Sequence, residues 1–134
     1  MTGVQTCALP ISKAEAERIV ISYKNSVCFR LATVFGYSYR MRTDLLVNNF
    51  VEKAVKKNKL DLFEPYFRRN YIHISDVVSA FIYAVKNFDM LKGQTYNLGL
   101  SSANLTKIAL AKKIKKKVKN LKIKIVKKIG RAHV

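Results

Sequence analysis

The feature that most limits the fold of this chain is the run from Val27 to Phe35. It is almost entirely apolar or β-branched, and Gly36 follows it. A strand with one face in solvent alternates between polar and apolar residues, and this run does not alternate. Such runs are typical of strands buried on both faces, in a parallel sheet that helices cover. The run therefore predicts a central strand of such a sheet.

Helical and strand-like patterns alternate along the rest of the chain. Helices are expected at Lys13–Lys24, at Asp44–Lys57, from an N-cap at Ser75 to Asn87, and at Leu105–Lys119. Further strands are expected at Leu60–Phe63, Asn70–Ile72, Thr95–Leu98 and Leu121–Val126. The third helix would place Asp76 in its first turn, where the helix dipole favours an acid. This alternation predicts an α/β protein with a largely parallel sheet.

Composition excludes several classes of protein. The chain has 134 residues, of which 49% are hydrophobic, and this indicates one globular domain rather than a disordered chain. No apolar run approaches the ~18–20 residues of a membrane span, and no basic segment followed by an apolar stretch suggests a signal peptide. Cys7 and Cys28 cannot form a disulfide framework, and no Cys/His spacing suggests a metal site.

The formal net charge of +18 raises an alternative, a small basic protein that binds nucleic acid through its Lys-rich C-terminal segment. All 8 acidic residues lie before residue 90, whereas half of the 26 basic residues lie after it. Nucleic-acid surfaces usually combine basic residues with aromatic rings on which bases stack. Residues 99–128 contain no aromatic residue, so a solvated basic face is the favoured interpretation and nucleic-acid binding is not expected.

Both ends of the chain are expected to be translated adapter DNA. Thr6–Ile11 can be back-translated as ACG TGT GCT CTT CCG ATC. The reverse complement, read from its second base, encodes Ile-Gly-Arg-Ala-His-Val, which is the sequence of residues 129–134. That DNA resembles a common sequencing-library adapter. Residues 1–12 and 129–134 are therefore expected to be non-native, and residues 13–128 an interior piece of a longer protein.

Four segments of the native piece resemble the extended short-chain dehydrogenase/reductase family, specifically its NAD-dependent sugar-nucleotide epimerases and dehydratases. Residues 12–17 look like the end of the family's Tyr-x-x-Ser-Lys motif. Residues 30–36 resemble its Arg-x-x-Asn-Val-Tyr-Gly strand, and residues 69–77 are close to Arg-Asp-Phe-Ile-His-Val-x-Asp-Val. Residues 96–99, Tyr-Asn-Leu-Gly, resemble its Tyr-Asn-Val-Gly strand. The segments occur in the family's order, over most of residues 12–118.

The resemblance implies a cofactor side of the site. Lys13 matches the family lysine that lowers the pKa of a catalytic Tyr and holds the nicotinamide ribose. That Tyr stands four residues earlier, where this chain has Leu9, so the catalytic partner of Lys13 is missing. Thr33 stands where the family has Asn, close to the nicotinamide. The family's Gly-rich loop would lie in an absent N-terminal half, so NAD or NADP is expected in the parent enzyme and not in this chain.

The resemblance also implies a substrate side. Arg69 matches an arginine that binds the nucleotide diphosphate, a role that suits the two-pronged guanidinium. Arg40 and Arg42 would flank the same cleft, and Asn48 resembles a cleft residue of some relatives. For each residue the alternative is a structural or surface role. His73 is expected to be structural, at a joint between a strand and a helix.

The implied fold is the C-terminal part of a Rossmann-like doubly wound parallel sheet plus part of the small substrate-binding domain. The parent enzyme would be a cytoplasmic homodimer that removes a hydride from a nucleotide sugar, lets the keto-sugar react and returns the hydride. The truncated chain itself is expected to be inactive. A second alternative is a scaffold protein of the same fold without activity.

Overall fold

The computed structural model describes residues 8–126, with side chains from residue 11 onward. Helices and strands alternate along this part of the chain. They are α1 (Ala8–Ser22), β1 (Val27–Leu31), β2 (Thr33–Phe35), α2 (Leu46–Lys57), β3 (Lys59–Leu62), β4 (Arg68–His73), α3 (Ile74–Lys86), α4 (Phe88–Leu91), β5 (Gln94–Leu98), a 3-10 turn (Ser101–Ala103), β6 (Asn104–Thr106), α5 (Lys107–Lys117) and β7 (Lys122–Ile125). Residues 1–7 and 129–134 of the two expected adapter segments lie outside the described residues.

The strands form three small sheets. β1 pairs with β5 and β3 pairs with β7, and both pairs are parallel. β2 pairs in parallel with β4, whose other edge pairs with β6 in antiparallel fashion. The predicted α/β class with parallel strands is confirmed. The sequence did not predict β6, because a strand of three residues is too short to show a period.

The prediction of one continuous strand from Val27 to Phe35 is wrong. The run is divided at Ala32, whose backbone N–H donates to the carbonyl of Leu98 at 2.8 Å, and β1 and β2 pair with different strands. The prediction that this run is buried on both faces is also wrong, because β1 is half-buried or exposed and Leu31 is 45% exposed. Within the described residues β1 has one strand neighbour, so its other edge has no strand partner there.

Three helix boundaries differ from their predictions. α1 begins before Lys13 and ends at Ser22, and a proline in its first turn is compatible with a helix. α3 is capped by His73 rather than Ser75, because the His73 Nδ1 accepts from the Ser75 backbone N–H at 3.3 Å. α5 begins after Thr106, whose hydroxyl oxygen accepts from the Ala109 N–H at 3.2 Å. Hydrogen bonds between side chains and backbone therefore set two of these three boundaries.

The buried core lies between α2, α5 and the strands β3, β4 and β7. It contains Val47, Phe50, Ala54, Leu60, Leu62, Tyr71, Leu110, Ala111 and Leu121. β3 alternates between exposed and buried residues, so Leu60 and Leu62 point inward while Lys59 and Asp61 form an ion pair of 3.0 Å outside. We call this group of elements the core lobe.

Exposed apolar residues also occur outside the core lobe, on or directly after α1, on β1 and on α3. They include Ile19, Val20, Tyr23, Leu31, Val78, Phe81, Ile82, Tyr83 and Val85. We call these residues, together with the edge of β1 that has no strand partner among the described residues, the edge face. Within residues 8–126, none of the helices combines the length and the apolar character needed to cross a membrane.

Candidate functional site

Three of the predicted substrate residues, Arg40, Arg42 and Asn48, line one small pocket of about 200 Å³. The pocket lies between the loop that follows β2 and the beginning of α2. The structure therefore brings Asn48 to the two loop arginines, which lie six and eight positions earlier in the sequence. Arg69, the fourth predicted substrate residue, does not line this pocket.

Gly36 allows the loop to leave β2 at this point. Its φ of +142° lies in a region that side chains disfavour, and a Cβ there would lie 2.6 Å from the Cγ2 of Ile74. Because Ile74 begins α3, any larger residue at position 36 would collide with that helix. The glycine of the resembled strand motif is therefore required by a close approach as well as by backbone conformation.

The two loop arginines differ in their partners. The Arg42 guanidinium donates two hydrogen bonds to the Asp44 carboxylate, from Nε at 3.1 Å and from Nη2 at 2.5 Å. These bonds raise the pKa of Arg42 and lower the pKa of Asp44. The Arg40 guanidinium has no hydrogen-bond or ion-pair partner among the described residues. Arg40 therefore has donors available for an anionic ligand, whereas Arg42 would have to share them with Asp44.

Arg69 lies near the start of β4, and its guanidinium carbon is 5.2 Å from the ring centroid of Phe67. Lys107 is close to the same ring, at 5.7 Å, and donates to the Phe63 carbonyl at 3.0 Å. Within residues 8–126 the Arg69 guanidinium has no carboxylate partner. A guanidinium that rests on a ring and lacks an acid can donate to a phosphate.

A second and larger cavity has two neighbours of Arg69 among its lining residues, namely Leu105, which pairs in register with Arg69, and Tyr71, two positions along β4. It has a volume of about 690 Å³, mainly apolar walls from α2, α5 and the segment 102–105, and Lys113 and Lys117 among its lining residues. Tyr71 also lines it and is 2% exposed, and its hydroxyl has no hydrogen-bond partner among the described residues. Burial raises the pKa of the Tyr71 phenol, and the positive charge of Arg69 partly opposes that rise. The hydroxyl is thus a neutral, unused hydrogen-bonding group near a cation.

Lys13 and Thr33, the predicted cofactor residues, lie in different places. Lys13 lines a groove of about 600 Å³ between α1 and β1. In that groove the Arg30 guanidinium donates to both carboxylate oxygens of Glu17, at 2.9 and 2.7 Å, which ties α1 to β1. Thr33 is half-buried and stands opposite Tyr71 in the pairing of β2 with β4, and it does not line the groove. The described residues do not bring these two side chains into one pocket.

Asn70 is a structural residue that the sequence did not single out. Its amide donates to the Leu100 carbonyl at 2.9 Å, and its oxygen accepts from the Leu100 N–H at 3.1 Å. The side chain thus joins β4 to the loop after β5, which belongs to another sheet. Gly99 makes this approach possible, because a Cβ there would lie 2.9 Å from the Asn70 oxygen. The resembled motif has Asp here, which lacks the amide donor.

Within residues 8–126, no group of three or more His, Cys, Asp or Glu residues lies close enough together to hold a metal ion. Cys28 is a half-buried free thiol in β1, as expected for a residue inside a strand. The chemistry available to this part of the chain is therefore that of cationic donors and hydrogen-bonding groups beside an apolar cavity.

Several solved structures have a similar fold. The dTDP-glucose 4,6-dehydratase of Bacillus anthracis in complex with NAD matches with a TM-score of 0.75 and 21% identity, over 97% of this chain and 42% of that chain. The ADP-L-glycero-D-manno-heptose-6-epimerase of Helicobacter pylori gives 0.78 and 24%, over 95% and 43%. RMD of Pseudomonas aeruginosa, complexed with NADPH, gives 0.71 and 16%, over 92% and 41%.

The chain thus spans less than half the length of these structures, and at such identities they show the fold alone. The family assignment has a separate basis. The model of the NAD dependent epimerase/dehydratase family matches residues 8–99, a stretch that contains α1, both halves of the divided run, β4 and β5. Because this match covers more than half of the sequence, the chain belongs to the NAD-dependent epimerase/dehydratase family.

Proposed function

We propose that the chain is part of an NAD- or NADP-dependent enzyme that epimerises or dehydrates a nucleotide sugar by transient hydride transfer at a sugar carbon. The family match supports this proposal, as do the names of similar structures, which include a dehydratase and an epimerase of nucleotide sugars. The described residues would supply one wall of the substrate cleft. The chain alone, without the remainder of the fold, would be inactive.

The observation that carries the proposal is that Arg69, which has no carboxylate partner among the described residues, pairs in register with Leu105, a lining residue of the apolar cavity. A nucleoside diphosphate has an apolar base and a strongly anionic diphosphate. A cavity of about 690 Å³ with apolar walls suits a base and sugar, and an arginine without a carboxylate partner suits the diphosphate. Arg40 and Arg42 would act from the smaller pocket, where Asn48 lies between them and Gly36.

Replacing Arg69 by Ala in the full-length protein is expected to weaken nucleoside diphosphate binding by more than ~1.5 kcal/mol, the scale of a hydrogen bond to a charged group. Arg69→Lys should restore part of the loss, because an ammonium keeps the charge and loses the two-pronged geometry. The measurement is calorimetric titration with UDP, dTDP, GDP and ADP, since the base is not known.

Arg68→Ala is the matched control for this experiment. Arg68 is the neighbouring arginine of β4 and donates to the backbone carbonyl of Asn104 at 3.4 Å. Because side chains alternate along a strand, it faces the side opposite to that of Arg69. Its loss should leave the affinity for nucleotides almost unchanged. Equal affinities for the Arg69→Ala protein and the original protein would reject the diphosphate role.

We propose that the described residues do not form a dinucleotide site by themselves. Lys13 lies in an open groove, its predicted Tyr partner is absent from position 9, and no Gly-x-x-Gly-x-x-Gly motif occurs in the chain. We therefore propose that the remainder of the parent enzyme supplies most of the cofactor site. Lys13 and Thr33 would complete that site from this side, and this chain alone would not bind the cofactor.

We further propose that residues 13–128 are the native part and that residues 1–12 and 129–134 derive from adapter DNA. The complementary codings of the two ends support this proposal. Sequencing the same locus from adapter-trimmed reads is expected to show Tyr-x-x directly before Ser12-Lys13. A Gly-rich strand–loop–helix should lie near the true start of the gene. A gene that genuinely begins at Met1 would contradict both expectations.

The remaining expectations concern the whole protein. We propose a homodimer, which the exposed apolar residues Ile19 and Val20 of α1 support, and a cytoplasmic location. The nucleic-acid alternative has no support from the comparisons, because the similar structures named above are a dehydratase, an epimerase and an NADPH-bound protein. The scaffold alternative would require that the parent gene lack the catalytic Tyr, and the sequencing experiment tests this as well.

A further inference from the structure

Asn48 carries a buried polar side chain, with 6% exposure. An amide group is costly to remove from water unless hydrogen bonds replace those that it made to water. The burial of this amide in the first turn of α2 therefore requires hydrogen-bond partners within the protein. Both ends of the amide have such a partner.

The Asn48 amide contacts both ends of the loop that leaves β2. Its Nδ2 donates to the carbonyl of Arg42 at 3.0 Å, and its Oδ1 accepts from the backbone N–H of Gly36 at 3.4 Å. The side chain thus closes the loop of residues 36–42 across its base. Few other contacts restrain the loop, which is mostly exposed and contains Arg40 and a pair of tyrosine rings, Tyr37 and Tyr39, 6.0 Å apart.

We propose that Asn48 is a positioning residue: by holding both ends of the loop, it fixes the direction in which Arg40 and Arg42 face the pocket of about 200 Å³. The inference rests on the proposed function for its catalytic consequence, since the pocket would then be part of the substrate cleft. Asn48 would then act on the substrate indirectly, through the loop, rather than by contacting it. Both ends of its amide are engaged by backbone, and the buried side chain presents little surface to a ligand.

The test measures the loop itself, without any nucleotide. The 134-residue chain is digested briefly with trypsin, and cleavage after Arg40 and Arg42 is followed by mass spectrometry relative to cleavage after Lys86 in α3. In Asn48→Leu, relative cleavage of the loop is expected to rise about tenfold, the effect of losing one typical hydrogen bond or slightly more. Relative cleavage equal to that of the original chain would overturn the proposal.

Asn49→Leu is the matched control. Asn49 is the next residue of α2, and its Nδ2 donates to the Thr43 carbonyl at 3.0 Å, a bond as long as that of Asn48 to Arg42. It does not reach Gly36, so its loss should leave cleavage after Arg40 and Arg42 within about twofold of the original, close to the scatter of surface substitutions. An increase as large as that of Asn48→Leu would overturn the special role of Asn48.

If Asn48→Leu fails to fold, cleavage would rise at all sites and the loop could not be judged. A second variant tests the proposal in that event. In Asn48→Asp, the protonated acid can donate to the Arg42 carbonyl as the amide does, whereas the ionised carboxylate can only accept. The Gly36 amide and the Arg42 carbonyl should therefore titrate together in NMR spectra between about pH 4 and pH 8, with the closed loop at low pH.

Charged groups around this position are Arg40, Arg42 and Asp44 on the loop side and His73 beside Gly36. They are present in the original chain, whose spectra therefore provide the baseline for their own titration. A common titration of Gly36 and Arg42 that is seen in Asn48→Asp and is absent from the original chain supports the proposal. Spectra that titrate alike in both proteins overturn it. Neither outcome depends on whether Arg69 binds a nucleotide, so the two proposals can fail separately.

Discussion

The chain, purified as it stands, is expected to self-associate rather than to remain a monomer. β1 has one strand neighbour among the described residues, so its other edge presents unpaired backbone donors and acceptors. Apolar residues of α1 and α3 are exposed around that edge, and burying them offers roughly 25 cal/mol per Å². Size-exclusion chromatography with light scattering should show a mass that increases with concentration.

A charge placed on the edge face should reduce this association. Leu31→Lys puts an ammonium on β1, and Leu100→Lys is the control, because Leu100 is similarly exposed, 41% against 45%, and lies outside β1 and the edge face. The first variant should shift toward the monomer and the second should not. A monomeric peak for the original chain at every concentration, with one sharp unfolding transition, would refute the prediction. Micromolar NAD binding by this chain would separately refute the absence of a cofactor site.

Leu62→Ala is expected to destabilise the core lobe by about 2–5 kcal/mol, the range for a leucine removed from a packed core. Leu62 is 0% exposed in β3 and packs in the cluster formed by α2, α5 and β7. The lost methyl groups leave a cavity that the surrounding helices can close only in part. Urea unfolding followed by circular dichroism, at one low protein concentration, measures the change in the free energy of unfolding.

Leu100→Ala serves as the comparison, since its side chain is 41% exposed and should cost about 0.5 kcal/mol or less. Native-state hydrogen exchange adds a spatial readout. Amides of β3 and β7 should exchange slowly in the original chain and lose protection in Leu62→Ala, whereas amides of α1 should exchange fast in both. Similar destabilisation by both alanine variants would mean that the core lobe is not the main source of the stability of this chain.

Local patterns in the sequence were sufficient for most of the helices and strands. α2, α3 and α5 were predicted within a few residues, because three- and four-residue spacing of apolar side chains is a property of neighbouring positions. The predicted helix boundaries were wrong where a single capping side chain determines where the helix begins. His73 and Thr106 cap their helices through hydrogen bonds that depend on how the preceding strand ends, and the apolar pattern contains no trace of this.

The prediction of one continuous strand from Val27 to Phe35 was wrong for a different reason. The apolar character of this run indicated a strand, but not which strands would pair with it. Partner choice at Ala32 depends on Leu98, which lies 66 positions later in the sequence. A run that is apolar enough for burial on both faces can therefore remain half-exposed when the described chain supplies one neighbour.

The sequence named candidate site residues but could not show how they are arranged. Arg40, Arg42 and Asn48 share a pocket that Arg69 does not line, and Lys13 and Thr33 lie apart from each other. The sequence could not show that Asp44 engages Arg42, which leaves Arg40 as the arginine without a partner in that loop. Nor could it distinguish Tyr71 from any other core aromatic residue.

The sequence by itself determined the α/β class, the order of the motifs that leads to the family, and the complementary coding of the two ends, because each of these is carried by consecutive residues. Only the tertiary structure decided which strands pair, where the unpaired Tyr71 hydroxyl lies, and that the Asn48 amide holds both ends of one loop. The physical reason is that hydrogen bonds and cavities form between groups distant in the chain. Asn70 and Leu100, 30 residues apart, illustrate this. A periodic pattern indicates which face of a helix or strand is buried, and it does not indicate which element packs against that face.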